Sequence, residues 1–468
     1  MATVLENDFK PVCEQKISLD RRIHISKKGW IVRGTVIIGL AFIIGFNLYQ
    51  GMLENDTLVA YSTIMPIHAF LVIIIGWIFY KNPAIGKAGN ELVSIIIPVY
   101  NQESMIDIVI ESIFRSTYRN IEVIAVNDGS KDNTKNILNN LAKKYPTLKV
   151  IHKANEGKRH AVATGFNHSK GKFIVLIDSD SVVDNHAIEE FMKTFNGDLK
   201  IGSVVGYAKV WNSRKNILTK CQDAWYDYAF NIHKTTESVL GNVTCCSGCL
   251  AGYRREVIED FIPYWIKSKT QNSDDRDLTT YVIAKPWAKK HLAPISQQLL
   301  ENSAKYDDAE DRILTAQSLT QWKSVYVASA IAYTDVPEKF RGYIRQQTRW
   351  KKGFIRSNFF VSTFFWQKNP LISSIFYIEF MTTFTAPFIT LIVLLYEPFI
   401  LKNYWVPFAF VGGSLLAGLS HGIDYKFRDS KSRTWKYKPF MNIFTSFGLC
   451  WLVIPALLTF RKNQWLTR

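Results

Sequence analysis

Residues 171–180 read GKFIVLIDSD, and their pattern decides the fold. Five apolar residues, Phe173 to Ile177, follow a Gly-Lys start without a break. That is too short a run for a helix and the right length for a strand covered on both faces. The run stops on two carboxylates, Asp178 and Asp180. Three other stretches are built the same way: LVSIIIPVY (92–100), IEVIAVND (121–128) and LKVIHKAN (148–155). Amphipathic segments follow Gln102, Asp132 and Gly157, so strands and helices alternate, the pattern of βαβ units in a parallel, Rossmann-like α/β sheet. Such sheets take ligands beyond the carboxyl ends of their strands. Here those ends carry Tyr100 and Asn101, Asp128, Asn155 and Asp178, which points four polar strand ends into one crevice.

On either side of this region the chain turns apolar. TVIIGLAFIIGFNLYQGML (35–53) and LVAYSTIMPIHAFLVIIIGWIFY (58–80) are almost free of charge and near the ~20 residues that cross a bilayer as a helix. Lys16, Arg21, Arg22, Lys27, Lys28 and Arg33 precede the first, and Lys81 and Lys87 follow the second, so the positive-inside rule puts both flanks and the α/β region in the cytosol. No small-residue cleavage site follows the first segment, which argues against a signal peptide. Further on, residues 371–400 and 404–425 read as spans. Residues 439–460, broken by Gly448 and Pro455 and flanked by basic loops, read as re-entrant or interfacial. The domains expected are therefore 1–90, a cytosolic N-terminus with two transmembrane helices; 91–338, the α/β domain; and 339–468, interfacial and transmembrane helices with a tail. The chain is expected to be an integral membrane protein of the plasma membrane.

The net charge of +17 does not imply nucleic acid, because the basic residues cluster beside the apolar segments, where anionic lipid accounts for them. Six cysteines, including CCSGC at 245–249, lack the second Cys pair or His pair of a zinc site and read as packed thiols.

Asp178 and Asp180 lie two apart at a strand end, where an extended backbone turns both carboxylates to one side, a hard-cation site suited to Mg²⁺ or Mn²⁺. Asp128, before a glycine turn, reads equally as a helix cap or a nucleotide contact. NEGKRHA (155–161) sets Gly157 at a helix start beside Lys158 and Arg159, a place for a diphosphate. In YIRQQTRWKKGF (343–354), Gln346 and Arg349 share one helical face beside Trp350, within a basic amphipathic helix suited to a membrane surface. Two stretches look like copies of each other: SDDRDLTTYVI (273–283) and AEDRILTAQSL (309–319).

In this order and between apolar segments, IIIPVYN, VNDGS, NEGKRHA, DSD, SGCLAGYRRE, EDR and QQTRW resemble the processive family-2 glycosyltransferases. Within that group the resemblance is to hyaluronan synthases first, with chitin and chitooligosaccharide synthases next. It covers Glu91 to Phe354 and, more loosely, the apolar regions and the terminal WLTR. The resemblance implies a GT-A catalytic domain in which Tyr100, Glu103 and Asp128 hold uridine, Lys158 approaches the diphosphate, Asp178 contacts the nucleotide sugar and Asp180 binds Mn²⁺ or Mg²⁺. Ser247 and Gly248 would border the acceptor. Gln346, Arg349 and Trp350 would close the site around pyrophosphate and acceptor sugar, and Trp465, Thr467 and Arg468 would form a gating loop. The family's usual glycine in that loop is Leu466 here, its glycine before the acidic pair is Ala309, and its proline after the Ser-Gly pair is Cys249. Spacing to Gln346 matches the family's path from Asp311, thirty-five residues before, and not from Asp275, seventy-one before. Asp311, with Glu310 beside it, is therefore expected to be the catalytic base, and Asp274 and Asp275 solvated loop or cap residues.

The reading that follows is an inverting, membrane-embedded synthase that polymerises and translocates a β-linked GlcNAc-containing polysaccharide. Hyaluronan from UDP-GlcNAc and UDP-GlcA comes first, a GlcNAc homopolymer such as chitin next, and non-processive lipid-linked transfer third. The growing polysaccharide and membrane lipids are its other partners. A catalytically silent transporter or scaffold is the reading from another class. Such a chain should have lost an acidic motif, and Asp128, Asp178, Asp180 and Asp311 are all present.

Overall fold

The computed structural model of the chain describes residues 25–54, 67–267, 274–291 and 322–459. The described residues divide into two compact units, one built on residues 82–208 and 241–333, the other on residues 25–81, 209–240 and 334–459.

The first unit is organised by a sheet of eight described strands: β1 (Val93–Val99), β2 (Ile121–Asp128), β3 (Leu148–Lys153), β4 (Phe173–Leu176), β5 (Ser181–Val183), β6 (Ile201–Val210), β7 (Ala251–Arg254) and β8 (Lys323–Thr334), in the order β3-β2-β1-β4-β7-β6-β8-β5. The four runs read from the sequence are its parallel part, β1 lying between β2 and β4 and β2 beside β3. Every residue of β1 and β4 is buried, as a sheet covered on both faces requires. The helices expected between them are Ile106–Phe114, Thr134–Lys144 and Lys158–Asn167. The antiparallel partners of β4 were not foreseen: β7 pairs with β4 and with β6 in that sense. They make the sheet mixed and carry the 245–250 segment to the mouth of β4.

Gly206 sits on β6 where a Cβ would fall 2.6 Å from the Ala330 carbonyl oxygen and against Leu250 Cδ2. A backbone oxygen held in the sheet cannot recede. Gly206→Ala is therefore expected to destabilise the protein by about 1–3 kcal/mol, read as a lower melting temperature of the detergent-purified chain.

Among the described residues of the second unit, four helical stretches are long and apolar enough to cross a membrane: Lys27–Phe46, Pro370–Ile400, Trp405–Arg428 and Trp435–Leu458. Phe42, Phe388 and Phe408 are 65–73% exposed on them, a surface that water would not tolerate and lipid would cover. The second expected N-terminal span is described only as the apolar helix Ile67–Phe79, residues 55–66 lying outside the described residues. In the 439–460 segment, a π turn at Phe444–Gly448 and a 3-10 turn at Leu449–Leu452 carry the helix past Gly448 and on to Pro455. The breaks bend the helical run without ending it, and its length suffices to cross a membrane. The basic amphipathic stretch is the helix Phe340–Ser362.

Candidate active site

The site is assembled at the carboxyl ends of β1, β2 and β4. The loops after β1 and β2 are stitched together: Asn101 Oδ1 accepts the Lys131 N–H at 2.8 Å, Gln102 N–H donates to Thr134 Oγ1 at 2.8 Å, and Glu103 Oε2 accepts the Asn133 N–H at 2.9 Å. Asn101 takes φ +49° at this turn, a conformation that asparagine tolerates better than most residues. Tyr100 and Glu103 are thus held beside the glycine turn that follows Asp128.

Asp128 is only 3% exposed, and its carboxylate accepts the N–H groups of Glu156 at 3.0 Å and Gly157 at 2.7 Å and the Lys153 ammonium at 3.1 Å. It fixes the entry to the helix Lys158–Asn167, with Gly157 at φ +95° where a side chain would be strained. Of the two readings of Asp128, the structure displays the helix-positioning one.

Lys158, the first residue of that helix, reaches the end of β4. Its ammonium donates to Asp178 Oδ1 at 2.5 Å and lies 3.6 Å from Asp275 Oδ1. Gly248 closes the group: its N–H donates to Asp275 Oδ2 at 2.9 Å and its carbonyl accepts the Asp178 N–H at 2.9 Å. Burial pushes the Lys158 ammonium down, but the charges of Asp178 and Asp275 outweigh it and hold the lysine well above its usual range. It is a cation throughout the working pH range. Ser247 precedes Gly248 in the same turn, its carbonyl accepting the Leu250 N–H at 3.1 Å. Asp180, two residues beyond Asp178, accepts from Ser181 Oγ at 3.4 Å.

Asp275 is where the structure departs from the sequence reading. The helix Asp274–His291 begins at the stretch expected to be a solvated loop or cap and docks on the 245–250 turn, Thr279 Oγ1 accepting the Cys246 N–H at 2.9 Å and donating to the Asp275 carbonyl at 2.7 Å. Asp274 is not solvated. It is 8% exposed and takes Arg159 Nε at 2.9 Å, while Arg159 also donates to Asp277 Oδ2 at 2.8 Å and to the Trp265 carbonyl at 3.0 Å. Burial pushes the Asp274 carboxyl up against the pull of Arg159. Consecutive cations, Lys158 and Arg159, thus grip the first turn of this helix, Lys158 at Asp275 and Arg159 at Asp274 and Asp277. Removing one partner of a buried pair strands the other, so Arg159→Met is expected to cost about 3–5 kcal/mol, a loss that thermal melting measures and Arg159→Lys should recover only in part.

Glu310 and Asp311, and the tail residues Trp465, Thr467 and Arg468, lie outside the described residues. Gln346, Arg349 and Trp350 belong to the second unit, on the helix Phe340–Ser362. Gln346 Oε1 is buried with no hydrogen-bond partner among the described residues, and the Trp350 indole stacks on Trp225 with ring centroids 5.9 Å apart.

Residues 94–262 match the family described as glycosyl transferase family 2. Over 446 residues, 92% of this chain and 96% of the relative, the sequence is 29% identical to a hyaluronan synthase of Streptococcus pyogenes. It is 26% identical over 263 residues, 56% of this chain and 54% of the relative, to a poly-β-1,6-N-acetyl-D-glucosamine synthase of Staphylococcus epidermidis. Among solved structures, a mannosyltransferase from Pyrobaculum calidifontis in complex with GDP-Man and Mn²⁺ aligns with a TM-score of 0.53 at 15% identity, covering 86% of this chain and 98% of that one. The fold is GT-A, with apolar helices on both sides of the domain in sequence.

Proposed function

Residues 94–262 are a family 2 glycosyltransferase domain and the chain is a UDP-sugar-dependent glycosyltransferase; from that premise we propose that it polymerises hyaluronan from UDP-GlcNAc and UDP-GlcA. The observation that carries the choice of polymer is reach. Likeness to a hyaluronan synthase runs through 92% of the chain, apolar helices included, whereas likeness to the poly-GlcNAc synthase stops at 56%. The catalytic domain lies on the cytosolic side of the plasma membrane, as the basic flanks of the apolar segments favour.

In the reaction, the acceptor hydroxyl attacks the anomeric carbon of the donor sugar from the face opposite UDP. The new C–O bond forms as the bond to the diphosphate oxygen breaks, UDP leaves with the electron pair, and the configuration inverts. Asp275 takes the hydroxyl proton. Its Oδ2 is pinned by the Gly248 N–H, and Oδ1 faces Lys158.

Asp178 and Asp180 offer hard oxygen ligands, and among the described residues no three His, Cys, Asp or Glu side chains gather into a metal group. These two carboxylates fit Mn²⁺ or Mg²⁺ if the donor's diphosphate oxygens complete the set, Asp180 being the residue we assign to the ion. A bound ion would supply charge stabilisation to the departing diphosphate. Tyr100 and Glu103 are assigned to the uridine, Ser247, Gln346 and Trp350 to the acceptor, Arg349 to the diphosphate, and Trp465, Thr467 and Arg468 to a gating loop.

The test is product analysis. Purified protein in Mn²⁺ receives UDP-GlcNAc alone, UDP-GlcA alone, or both. Polymer made only with both donors and cut by hyaluronidase is the expected result. Polymer from UDP-GlcNAc alone, cut by chitinase or by a β-1,6-GlcNAc hydrolase, would replace hyaluronan with a homopolymer.

A further inference from the structure

The second unit holds a line of buried charges that the transfer chemistry does not use. Arg33, on the first apolar helix, donates Nε to Asp424 Oδ1 at 2.8 Å and Nη1 to the Trp77 carbonyl at 3.0 Å. Arg428 donates Nε to Asp424 Oδ2 at 2.7 Å and grips both oxygens of Asp227 at 2.8 and 2.5 Å. All four side chains are 6% exposed or less. Cation and anion alternate, so the line is neutral and each charge has its hydrogen bonds, the condition under which buried ions are tolerated.

The line ends on the helix Ile217–Tyr228, where Asp223, one turn before Asp227, accepts from the Tyr425 hydroxyl at 3.1 Å and from the Thr434 hydroxyl. Two carboxylates four residues apart share a face, and that face is clamped to the helix Trp405–Arg428 and the loop after it. Trp225, midway between them, projects from the opposite face. There its indole stacks on Trp350 at 5.9 Å and 21° between planes, with Tyr226 at 6.3 Å from the same ring. One face of Trp350 is thereby taken, and the plane of the ring is set by where this helix sits.

We propose that Trp225 is a positioning residue for Trp350, and that the Arg33–Asp424–Arg428–Asp227 line holds it in place, so that the second face of the Trp350 indole is presented to an acceptor sugar ring. The inference rests on the assignment of Trp350 to the acceptor. Sugar rings stack on aromatic faces with a defined plane, and a small misplacement of a group that orients a reactant costs rate without touching donor binding.

The discriminating measurement compares two reactions of the full-length protein in detergent: polymer elongation, and hydrolysis of UDP-sugar by water, which needs no acceptor sugar. Trp225→Leu keeps apolar bulk against the Tyr343, Met441 and Leu449 cluster that the indole packs on. It is expected to slow elongation by about tenfold or more while hydrolysis and donor KM stay within about twofold. Trp225→Phe, which restores an aromatic face, should return at least about half of the elongation rate. Asp227→Asn, at the other end of the argument, should show the same split. Equal loss of both reactions in Trp225→Leu and Asp227→Asn, or wild-type elongation in Trp225→Leu, overturns the inference. A wild-type protein that transfers to water but makes no polymer overturns the synthase reading and this inference with it.

Discussion

Asp275→Asn is expected to lower polymer synthesis by about a thousandfold, with UDP affinity within about threefold of wild type. The change is nearly isosteric, and the amide oxygen that replaces a carboxylate oxygen can still accept the Gly248 N–H that Asp275 Oδ2 now takes at 2.9 Å. What is lost is the capacity to accept a proton, which general-base catalysis makes worth roughly a hundredfold to ten-thousandfold. The same substitution at Asp311 provides the contrast. If the base is Asp275, Asp311→Asn should stay within about fivefold of wild type, since a base must come within ~3 Å of the proton it removes. Radiolabel incorporated into polymer reports the first quantity and calorimetric titration with UDP the second. A fully active Asp275→Asn beside a dead Asp311→Asn would return the base to the AEDR stretch, as spacing had suggested.

The parallel half of the sheet could be read directly because its strands are continuous apolar runs ending in polar residues, and each run is local. β6 and β7 are harder to read, since β7 is AGYR, four residues whose burial comes from neighbours and not from their own hydrophobicity. The site divides in the same way. Lys158 and Asp178 stand out in the sequence because each follows a local signal, a glycine helix start and a strand end. Asp275, which we propose as the base, carries no such local signal. Choosing between SDDRD and AEDRI by distance to Gln346 treats chain length as position, and an insertion can change one without the other. A better guide was present in the charges. Lys158 and Arg159 are adjacent cations, and burying Arg159 with Lys158 half-buried beside it calls for several nearby acids. SDDRD supplies Asp274, Asp275 and Asp277 within one helical turn, whereas AEDRI supplies Glu310 and Asp311 alone. The buried line from Arg33 to Asp227 was equally out of reach, because its members are brought together across 391 positions of sequence between Arg33 and Asp424.

Gly248→Ala should abolish transfer while leaving the fold intact, the reverse of what Gly206→Ala should do, and atom types explain the difference. A Cβ on residue 248 would fall 2.8 Å from Asp275 Oδ1, 2.8 Å from Lys158 Nζ and 3.0 Å from Asp178 Oδ1. These atoms are the ends of side chains, which can swing aside at small cost, unlike the Ala330 carbonyl that blocks Gly206. Stability should therefore change by less than about 1 kcal/mol. The atoms that must swing, however, belong to the proposed base, the cation assigned to the diphosphate and the carboxylate assigned to the donor sugar. A displacement of about 1 Å in groups that must align with a reacting bond costs about a hundredfold. Three such groups move together, so a loss of at least that size is expected in kcat, with an unchanged melting temperature as the control. Gly248→Ala with wild-type kcat would mean that the convergence of Lys158, Asp178 and Asp275 on this glycine is not where the sugar is transferred.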